Sequence, residues 1–401
     1  MSRPQRHPIA LMVVLLVLAS ALVPLPSLVD AVTGFPPGDA ELVRPTLYVA
    51  LAPLSTTLDA LTFLSIERAR WALAVWAVAL VLISARHSGS RLRRVGQALA
   101  GLFTLVLLVA ATLVLPRPVA RLDTEARAVT VIDYHAHTEA SHDGRKGWTS
   151  DRLARWHARQ GFEASYVTDH NLVFPGASSV IELLPGAEWS VHRQHVIALG
   201  STAAIDRDRF HGTTQRMLGI FGALDRQGVV SIAALPEYWR NHWADLDAVV
   251  SAGANGFEIV DCAPKALGFP PAARRRVIAL ARRHDLVLVG ASDNHGWGAA
   301  TCVWNLAAAG AGGLGSNRVI ARSIALAQGE GPAWAAAVTQ PWLMFQTLSW
   351  SERVSWLTWV AVLALYRAVP RRDGQGGGLS ILARSLKLRA LFRRKPAEPQ
   401  A

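Results

Sequence analysis

Cysteine is nearly absent from this chain of 401 residues, which contains only Cys262 and Cys302. Two cysteines exclude the kind of disulfide framework that holds small secreted domains together. A single disulfide between Cys262 and Cys302 remains possible, because a sequence alone does not show whether it forms. Disulfide-rich scaffolds are therefore excluded as a class.

Charged residues are also scarce. They make up 17% of the chain, against 51% hydrophobic residues, and the mean hydropathy is +0.24. This composition is too apolar for an ordinary soluble enzyme. At this length, it fits one barrel-sized domain together with membrane segments.

Acidic residues are the scarcer of the two charged types, since 29 Asp and Glu face 41 Lys and Arg, for a net charge of +12. Much of the basic excess lies in residues 86–94 and 367–395, and each of these segments borders an apolar run. Basic segments beside membrane helices are what the positive-inside rule produces. We therefore interpret this charge as a topology signal and expect no stable nucleic-acid partner.

Long apolar runs fill the first part of the chain. Residues 95–115 provide about the 20 apolar residues that a membrane span requires. Residues 8–32 follow Arg3 and Arg6 and fit a signal anchor or a first transmembrane helix, with a cleaved signal peptide as the alternative. Residues 71–85 are short for a span.

Two further apolar runs are weaker. Residues 47–65 contain Pro53 and Asp59, and we interpret them as interfacial or as part of a hairpin. Residues 354–366 would either return the chain across the membrane or form an amphipathic helix on its surface. The sequence therefore predicts two to four transmembrane helices before residue 119, and the lipid bilayer as a partner.

The arginine distribution predicts the orientation. With the amino terminus inside, the arginines of residues 86–94 lie in the cytoplasm and the chain after residue 115 lies outside. A membrane span at residues 47–65 would invert this order, which is disfavoured because it places the arginine loop outside. We expect a multi-pass protein of the cell membrane with an extracytoplasmic catalytic domain.

Beyond residue 118, strand-like apolar runs alternate with helix-like stretches. The strand-like runs are residues 129–134, 164–168, 195–199, 229–233, 257–260 and 286–290, and the helix-like stretches include 150–160, 213–226 and 272–283. This alternation favours parallel strands with crossover helices, hence a barrel-like α/β domain. The predicted division of the chain is a membrane region (1–118), a catalytic domain (119–331), a membrane-associated or transmembrane segment (332–370) and a basic, disordered tail (371–401).

Five short polar clusters lie at or near the ends of these runs. They are Asp133-Tyr134-His135-Ala136-His137, His142-Asp143-Gly144, Thr168-Asp169-His170-Asn171, Gly186-Ala187-Glu188 with His195, and Ser292-Asp293-Asn294-His295. Because strand side chains alternate between faces, His135 and His137 project to the same side and can bind one ion. Imidazole and carboxylate are ligands for Zn²⁺, Mn²⁺ or Fe²⁺, and a carboxylate such as Glu188 can bridge two ions. The clusters predict a metallohydrolase.

As a set, these motifs resemble those of the PHP domain, named after the polymerase and histidinol phosphatase superfamily. The resemblance covers residues 131 to about 298 and matches the family's HxH, acidic-glycine turn, TDH, PG-x-E, downstream His and SDxH. It implies a distorted (β/α)7 barrel similar to a TIM barrel, two or three divalent metal ions and hydrolysis of phosphoric esters.

Two positions depart from the family pattern. In the turn Ser141-His142-Asp143-Gly144, either His142 or Asp143 supplies the ligand. Where the family has Ala-His-Pro, this chain has Ala234-Leu235-Pro236, which removes one expected imidazole. A neighbour such as Glu237 or His192 must replace it or the third ion is lost, so we expect two tightly held metals.

The predicted ligands divide into groups. A first ion is expected at His135, His137, Glu188 and Asp293, a second at His170, His295 and His142 or Asp143, and Glu188 also reaches a further ion with His195. Glu188, Asp293 and His295 are the predicted catalytic residues. A metal-held hydroxide would attack phosphorus in line while another ion stabilises the leaving oxygen.

Other polar residues near these motifs have predicted supporting roles. Arg145, Arg193 and Arg240 are candidates for binding substrate phosphate, with solvated surface charge as the alternative for each. Asp133 and Asp169 are expected to support the ligands rather than bind metal.

The predicted function is that of a membrane-anchored, metal-dependent phosphoesterase acting on a phosphomonoester or phosphodiester, with a phosphorylated small molecule or nucleotide as substrate. Leu235 motivates one alternative, a catalytically impaired metal-binding or scaffold membrane protein. The other alternative is a nucleotide- or oligonucleotide-directed phosphatase or exonuclease of the same family.

Overall fold

The computed structural model describes residues 8–86, 89–239, 245–308, 322–329 and 331–368. Within these ranges the strands are β1 (Leu28–Asp30), β2 (Ala40–Val43), β3 (Arg121–Thr124), β4 (Val129–Asp133), β5 (Ala164–Val167), β6 (Glu182–Val191), β7 (Gln194–Leu199), β8 (Val230–Ala233), β9 (Gly256–Asp261), β10 (Val287–Ala291), β11 (Val303–Ala308) and β12 (Arg322–Leu326). The helices are α1 (Pro8–Leu22), α2 (Thr46–Ala50), α3 (Ala52–Thr62), α4 (Ile66–Ala85), α5 (Arg91–Val114), α6 (Ser150–Arg159), α7 (Thr214–Asp225), α8 (Leu235–Tyr238), α9 (Leu246–Ser251), α10 (Pro271–His284), α11 (Ala336–Gln346) and α12 (Trp350–Ala368).

Ten of the described strands form one curled half-barrel sheet, in the order β1-β12-β11-β4-β5-β6-β7-β8-β9-β10. The runs β4-β5-β6 and β8-β9-β10 pair in parallel, whereas β11, β12 and β7 pair with their neighbours antiparallel. The predicted α/β class is confirmed. The predicted barrel of uniform β/α units is replaced by a curled sheet of mixed pairing.

A tight hairpin accounts for part of this difference. Strands β6 and β7 are joined by His192 and Arg193, whose φ angles of 45° and 62° are those of a two-residue hairpin turn. Two residues leave no room for a crossover helix, so the strands must pair antiparallel. Residues 182–191 were not predicted as a strand.

The sheet is packed on both faces. Inside the curl lie Tyr134, Ile197, Ile232 and Val289, and between the sheet and its outer helices lies a larger cluster that includes Trp189. Because the strands are buried on both faces, the apolar runs of the sequence are continuous rather than alternating. The core fixes the strand ends, where the polar clusters begin.

The helices before β3 and after β12 differ from the predicted spans. Within the described part of the chain, only α5 is long and apolar enough to cross a membrane, and 6% of its apolar window is buried. Helix α1 has 15 residues, α4 begins with charged residues, and residues 46–62 form the two short helices α2 and α3. Multiple transmembrane helices are therefore not supported by length and composition.

The terminal regions are joined to the sheet by specific contacts. Strand β1 pairs with β12, and Arg322 on β12 forms ion pairs with Asp30 and Asp39. The predicted tail of residues 371–401 lies outside the described residues. A disulfide links Cys262, after β9, to Cys302, before β11, which answers the question that the sequence left open.

Candidate metal centre

The polar clusters converge at the carboxyl ends of β4, β5 and β10 and on the β6–β7 hairpin. Two backbone hydrogen bonds hold the first and last clusters together: Asp293 donates its N–H to the His135 carbonyl (2.9 Å), and His137 donates to the Asn294 carbonyl (3.0 Å). Asp293 has a left-handed φ of 45°. The extensions of β4 and β10 thus present their side chains to one point.

Four ligand atoms lie at that point. His135 Nε2 and His137 Nε2 are 2.9 Å apart, and Glu188 Oε2 lies 3.2 Å from each. Asp293 Oδ1 lies 3.4 Å and 3.2 Å from the same two nitrogens. Atoms about 3.2 Å apart can both bond one ion at about 2.0 Å, which is the length of a Zn–N or Zn–O bond.

The orientation of these atoms also fits a cation. Glu188 Oε2 and Asp293 Oδ1 are buried and have no hydrogen-bond partner, although imidazole nitrogens lie within 3.4 Å of both. A buried carboxylate oxygen without a donor is costly. Nitrogen and oxygen lone pairs that face a common centre, rather than each other's protons, are the donor set of a divalent metal.

A second group surrounds Asp143. Its carboxylate oxygens lie 3.4 Å from His170 Nε2 and 3.2 Å from His295 Nε2. The turn requires glycine at position 144, because a Cβ atom there would lie 2.0 Å from the Thr138 carbonyl oxygen. Of the two alternatives in this turn, Asp143 contacts both histidines. His142 is exposed, but its ligand atom also lies within 4.8 Å of those of Asp143 and His170, so both alternatives stay open.

A third group of ligand atoms connects the β6–β7 hairpin to the first two groups. His170, Glu188 and His195 place their ligand atoms within 4.8 Å of one another, and Glu188 contacts His195 through its second oxygen. Glu188 thus lies between the first and third groups, as expected for a bridging carboxylate. Glu237 Oε2 lies 3.9 Å from His195 Nδ1, near the position left by the missing imidazole.

Charges within the cluster shift several pKa values. Burial lowers the pKa of His135, but Glu188 and Asp293 outweigh this effect and raise it well above its usual value. Burial also lowers the pKa of His295, but Asp293 and Asp143 outweigh this effect and raise the pKa to about 9. The apoprotein therefore holds protons at positions where a metal ion would bind.

Two carboxylates behind the ligands have supporting positions. Asp133 accepts hydrogen bonds from the N–H groups of His135 and Ser292 and contacts His157 at 2.8 Å. Asp169 accepts bonds of 2.7 Å from both the N–H and the hydroxyl of Thr138. These hydrogen bonds are of the kind expected for acids that support the ligands; that neither acid binds metal stays a prediction.

Glu258 is a site residue that the sequence reasoning missed. It is fully buried in β9, and its Oε1 lies 3.4 Å from His135 Nδ1. Burial raises the pKa of Glu258 to about 7. A carboxylate behind a ligating imidazole orients the ring and increases its basicity. The signal was a single acid inside the apolar run 257–260.

An open cavity of about 650 Å³ leads to the ligands. Its wall includes Arg207 and Lys265, neither of which was predicted. Arg145 and Arg193 are not among the residues that line it, because Arg145 packs over Trp297 and Arg193 lies in the hairpin turn. Arg240 lies outside the described residues.

No protein-family model matches the chain, and no curated protein matches it. The solved structures that overlap with part of it include the following three. A protein of Bifidobacterium adolescentis assigned as a metal-dependent phosphoesterase shares 19% identity, with 41% of this chain and 87% of that chain covered and a TM-score of 0.33. PsfC from Pseudomonas syringae shares 18% identity over 53% of this chain and 96% of that chain, with a TM-score of 0.36.

The third structure is the lesion-specific endonuclease PfuEndoQ from Pyrococcus furiosus, with 11% identity, 45% of this chain and 52% of that chain covered, and a TM-score of 0.31. At these values the overlaps carry no conclusion about chemistry. Function has to be inferred from the side chains of the site.

Proposed function

We propose that this protein is a membrane-attached, metal-dependent phosphoesterase. The observation that carries the proposal is the convergence of His135, His137, Glu188 and Asp293. Their imidazole nitrogens lie 2.9 Å from each other and 3.2–3.4 Å from two buried carboxylate oxygens that lack hydrogen-bond partners. His170, His295 and Asp143 would hold a second ion. The spacing of the first set fits zinc, and Mn²⁺ or Fe²⁺ share its ligand types.

When bound, such ions activate water and neutralise charge on phosphate oxygens. The protein's own groups supply the rest of the chemistry. Glu258 and Ser141 contact the Nδ1 atoms of His135 and His137, which leaves both Nε2 atoms directed at the centre. Lys265 on the cavity wall is positioned to attract a phosphate group.

Membrane attachment is part of the proposal. Helix α5 is neither an amino-terminal signal nor a core helix, because it begins at Arg91 and its apolar window is 6% buried. Leu99, Phe103 and Val106 expose an apolar stripe along it. An exposed apolar surface of this extent favours contact with a bilayer.

We place the catalytic domain outside the cytoplasm. The disulfide between Cys262 and Cys302 supports this location, because such bonds persist in oxidising compartments and are rare in the cytosol. The arginines of residues 86–94, at the other end of α5, support it independently.

The test is the double variant His135→Ala, His137→Ala in the full-length protein. Loss of two ligands removes the first ion, and we expect metal retention to be lost and turnover of small phosphoesters to fall by about 100-fold or more. His284→Ala, an exposed histidine on α10, is the matched control. Wild-type turnover in the double variant would refute the proposal.

The same assay separates the alternatives. A wild-type protein that retains metal and hydrolyses neither phosphomonoesters nor oligonucleotides would support the scaffold interpretation motivated by Leu235. Turnover of oligonucleotides alone would support the nuclease interpretation.

A further inference from the structure

Two loops that carry residues of the metal cavity are hydrogen-bonded to the ends of α4 and α5. Gly298, three residues after His295, donates its N–H to the carbonyl of Leu113 in the last turn of α5 (2.9 Å). Pro264, next to Lys265 on the cavity wall, accepts a hydrogen bond from Ile66 at the start of α4 (2.9 Å). Two loops that carry site residues are thus attached directly to the helix pair α4–α5.

The helix end at this junction is apolar and exposed. Leu113 and Val114 are 47% and 51% exposed, and Leu115 follows them. Beside them on the loop, Trp297 is 48% exposed, with the Arg145 guanidinium 5.1 Å from its ring. Tryptophan and arginine side chains of this kind are typical of the boundary between a bilayer and water.

The backbone of the loop that carries Trp297 is restricted by close packing and by a hydrogen bond. Gly296 has a φ of 86°, and a Cβ atom there would lie 2.6 Å from the Trp148 ring. Arg145 donates its N–H to the His295 carbonyl (2.9 Å). The position of Trp297 is therefore fixed relative to the metal ligand His295.

Apolar surface also borders the cavity itself. Leu172, two residues after His170, lines the cavity and is 49% exposed. Arg207 and Lys265 are exposed cations that also line the cavity, and Lys265 forms an ion pair of 2.8 Å with Glu237. An exposed leucine beside the metal ligands and two lining cations suits an amphipathic molecule with a phosphate head, since a monoester carries about two negative charges.

We propose that the substrate is a phosphate monoester of a lipid alcohol, taken from the membrane surface. This inference rests on the proposed function and specifies its substrate class. Water adds its oxygen to phosphorus, the bond between phosphorus and the lipid oxygen breaks, and the leaving oxygen takes a proton from that water. The products are inorganic phosphate and a lipid alcohol that stays in the bilayer.

The experiment uses the full-length protein reconstituted in phosphatidylcholine vesicles and loaded with Zn²⁺ or Mn²⁺. Dioleoyl phosphatidic acid in the same vesicles is compared with dihexanoyl phosphatidic acid, which has the same head group but is dissolved as monomers. Phosphate release is measured for both. We expect kcat/KM to be higher for the membrane-held substrate by about tenfold, because the bilayer presents it at the mouth.

The variant Trp297→Ala should lower the ratio of membrane-held to dissolved turnover by about fivefold, and Trp297→Phe should restore most of it. Val180→Ser is the matched control, since Val180 is an exposed apolar residue before the opposite end of β6. A ratio that Trp297→Ala leaves unchanged would overturn the inference.

Different results would overturn the lipid assignment and the phosphoesterase activity. Turnover of dihexanoyl phosphatidic acid or p-nitrophenyl phosphate without preference for the vesicle substrate overturns the lipid assignment and leaves the phosphoesterase intact. Absence of turnover of every phosphoester by metal-loaded protein overturns both.

Discussion

At the scale of single residues, protons and metal ions compete for the same atoms. His135 and His295 have raised pKa values because Glu188, Asp293 and Asp143 favour their protonated forms over the effect of burial. A folded-state pKa above the unfolded value stabilises the apoprotein at low pH, and this contribution is lost as pH rises through about 9 for His295. Metal binding must displace these protons.

We therefore predict that metal binding to the apoprotein at pH 7 releases about one proton from His295, in addition to any from His135. Titration calorimetry in buffers of different ionisation enthalpy measures this number. Affinity should rise with pH up to about 9, the pKa of His295, and then level off. His295→Gln should release fewer protons, whereas His284→Ala should not differ from wild type. Binding without proton release at pH 7 would contradict the prediction.

The residue spacing predicted that His135 and His137 lie together, but it did not predict which residues contact the far side of their rings. His135 and His137 were predicted from a strand periodicity of two, which is a local property. Glu258 reaches His135 from β9, 123 positions further along the chain. No local pattern encodes that contact, because it depends on how the sheet curls. Lys265 and Arg207 were missed for the same reason.

At the scale of elements, the short helix α8 positions the residue that can replace the missing imidazole. Leu235 at its start is buried in the apolar core with Ala233, whereas Glu237 lines the metal cavity and bonds Lys265 at 2.8 Å. His192, the other expected substitute, lies in the β6–β7 turn and does not line the cavity. Glu237 is thus the group near His195 that can compensate.

We predict that the wild-type protein retains two metal ions after dialysis, with a third bound weakly beside His195. Glu237→Gln should weaken that third site by about tenfold or more and leave the two tight ions in place, because an amide is a poorer ligand than a carboxylate. Elemental analysis and metal titration measure the two classes. The control is Glu182→Gln, an exposed acid at the far end of β6. Three ions retained by wild type, or loss of a tight ion in Glu237→Gln, would be inconsistent with this assignment.

Element type was predictable wherever an apolar run was followed by a polar cluster, as for β4, β5 and β10. Strand β7 was also predicted, as residues 195–199, but its hairpin partner β6 was not, since the Leu-Leu-Pro-Gly near its start reads as a turn rather than a strand. Helix boundaries near the amino terminus shifted as well. The predicted run 71–85 begins at Ile66 in α4, because Ser65 caps the helix by accepting a hydrogen bond from the Arg68 N–H.

At the scale of the whole molecule, the two ends of the helix pair α4–α5 differ in what lies beside them. Arg353 in the first turn of α12 donates to the Val17 carbonyl and the Ser20 hydroxyl of α1. Helix α4 begins and α5 ends at loops of the sheet domain. The other end of α4–α5 carries Arg91, Arg93 and Arg94. Under the proposed membrane attachment, a bilayer that covers the exposed apolar faces would separate the arginines from the metal site.

We predict that reporters fused after Arg94 and near Gly200 lie on opposite sides of the membrane. A green fluorescent reporter should be bright after Arg94, and alkaline phosphatase should be active near Gly200, because arginine-rich loops stay in the cytoplasm. Cysteine alkylation tests the intact chain, since Cys262 and Cys302 should react only after reduction if their domain folds in an oxidising compartment. Both reporters on one side, or free thiols at both cysteines in freshly isolated membranes, would refute the extracytoplasmic placement while leaving the metal site unaffected.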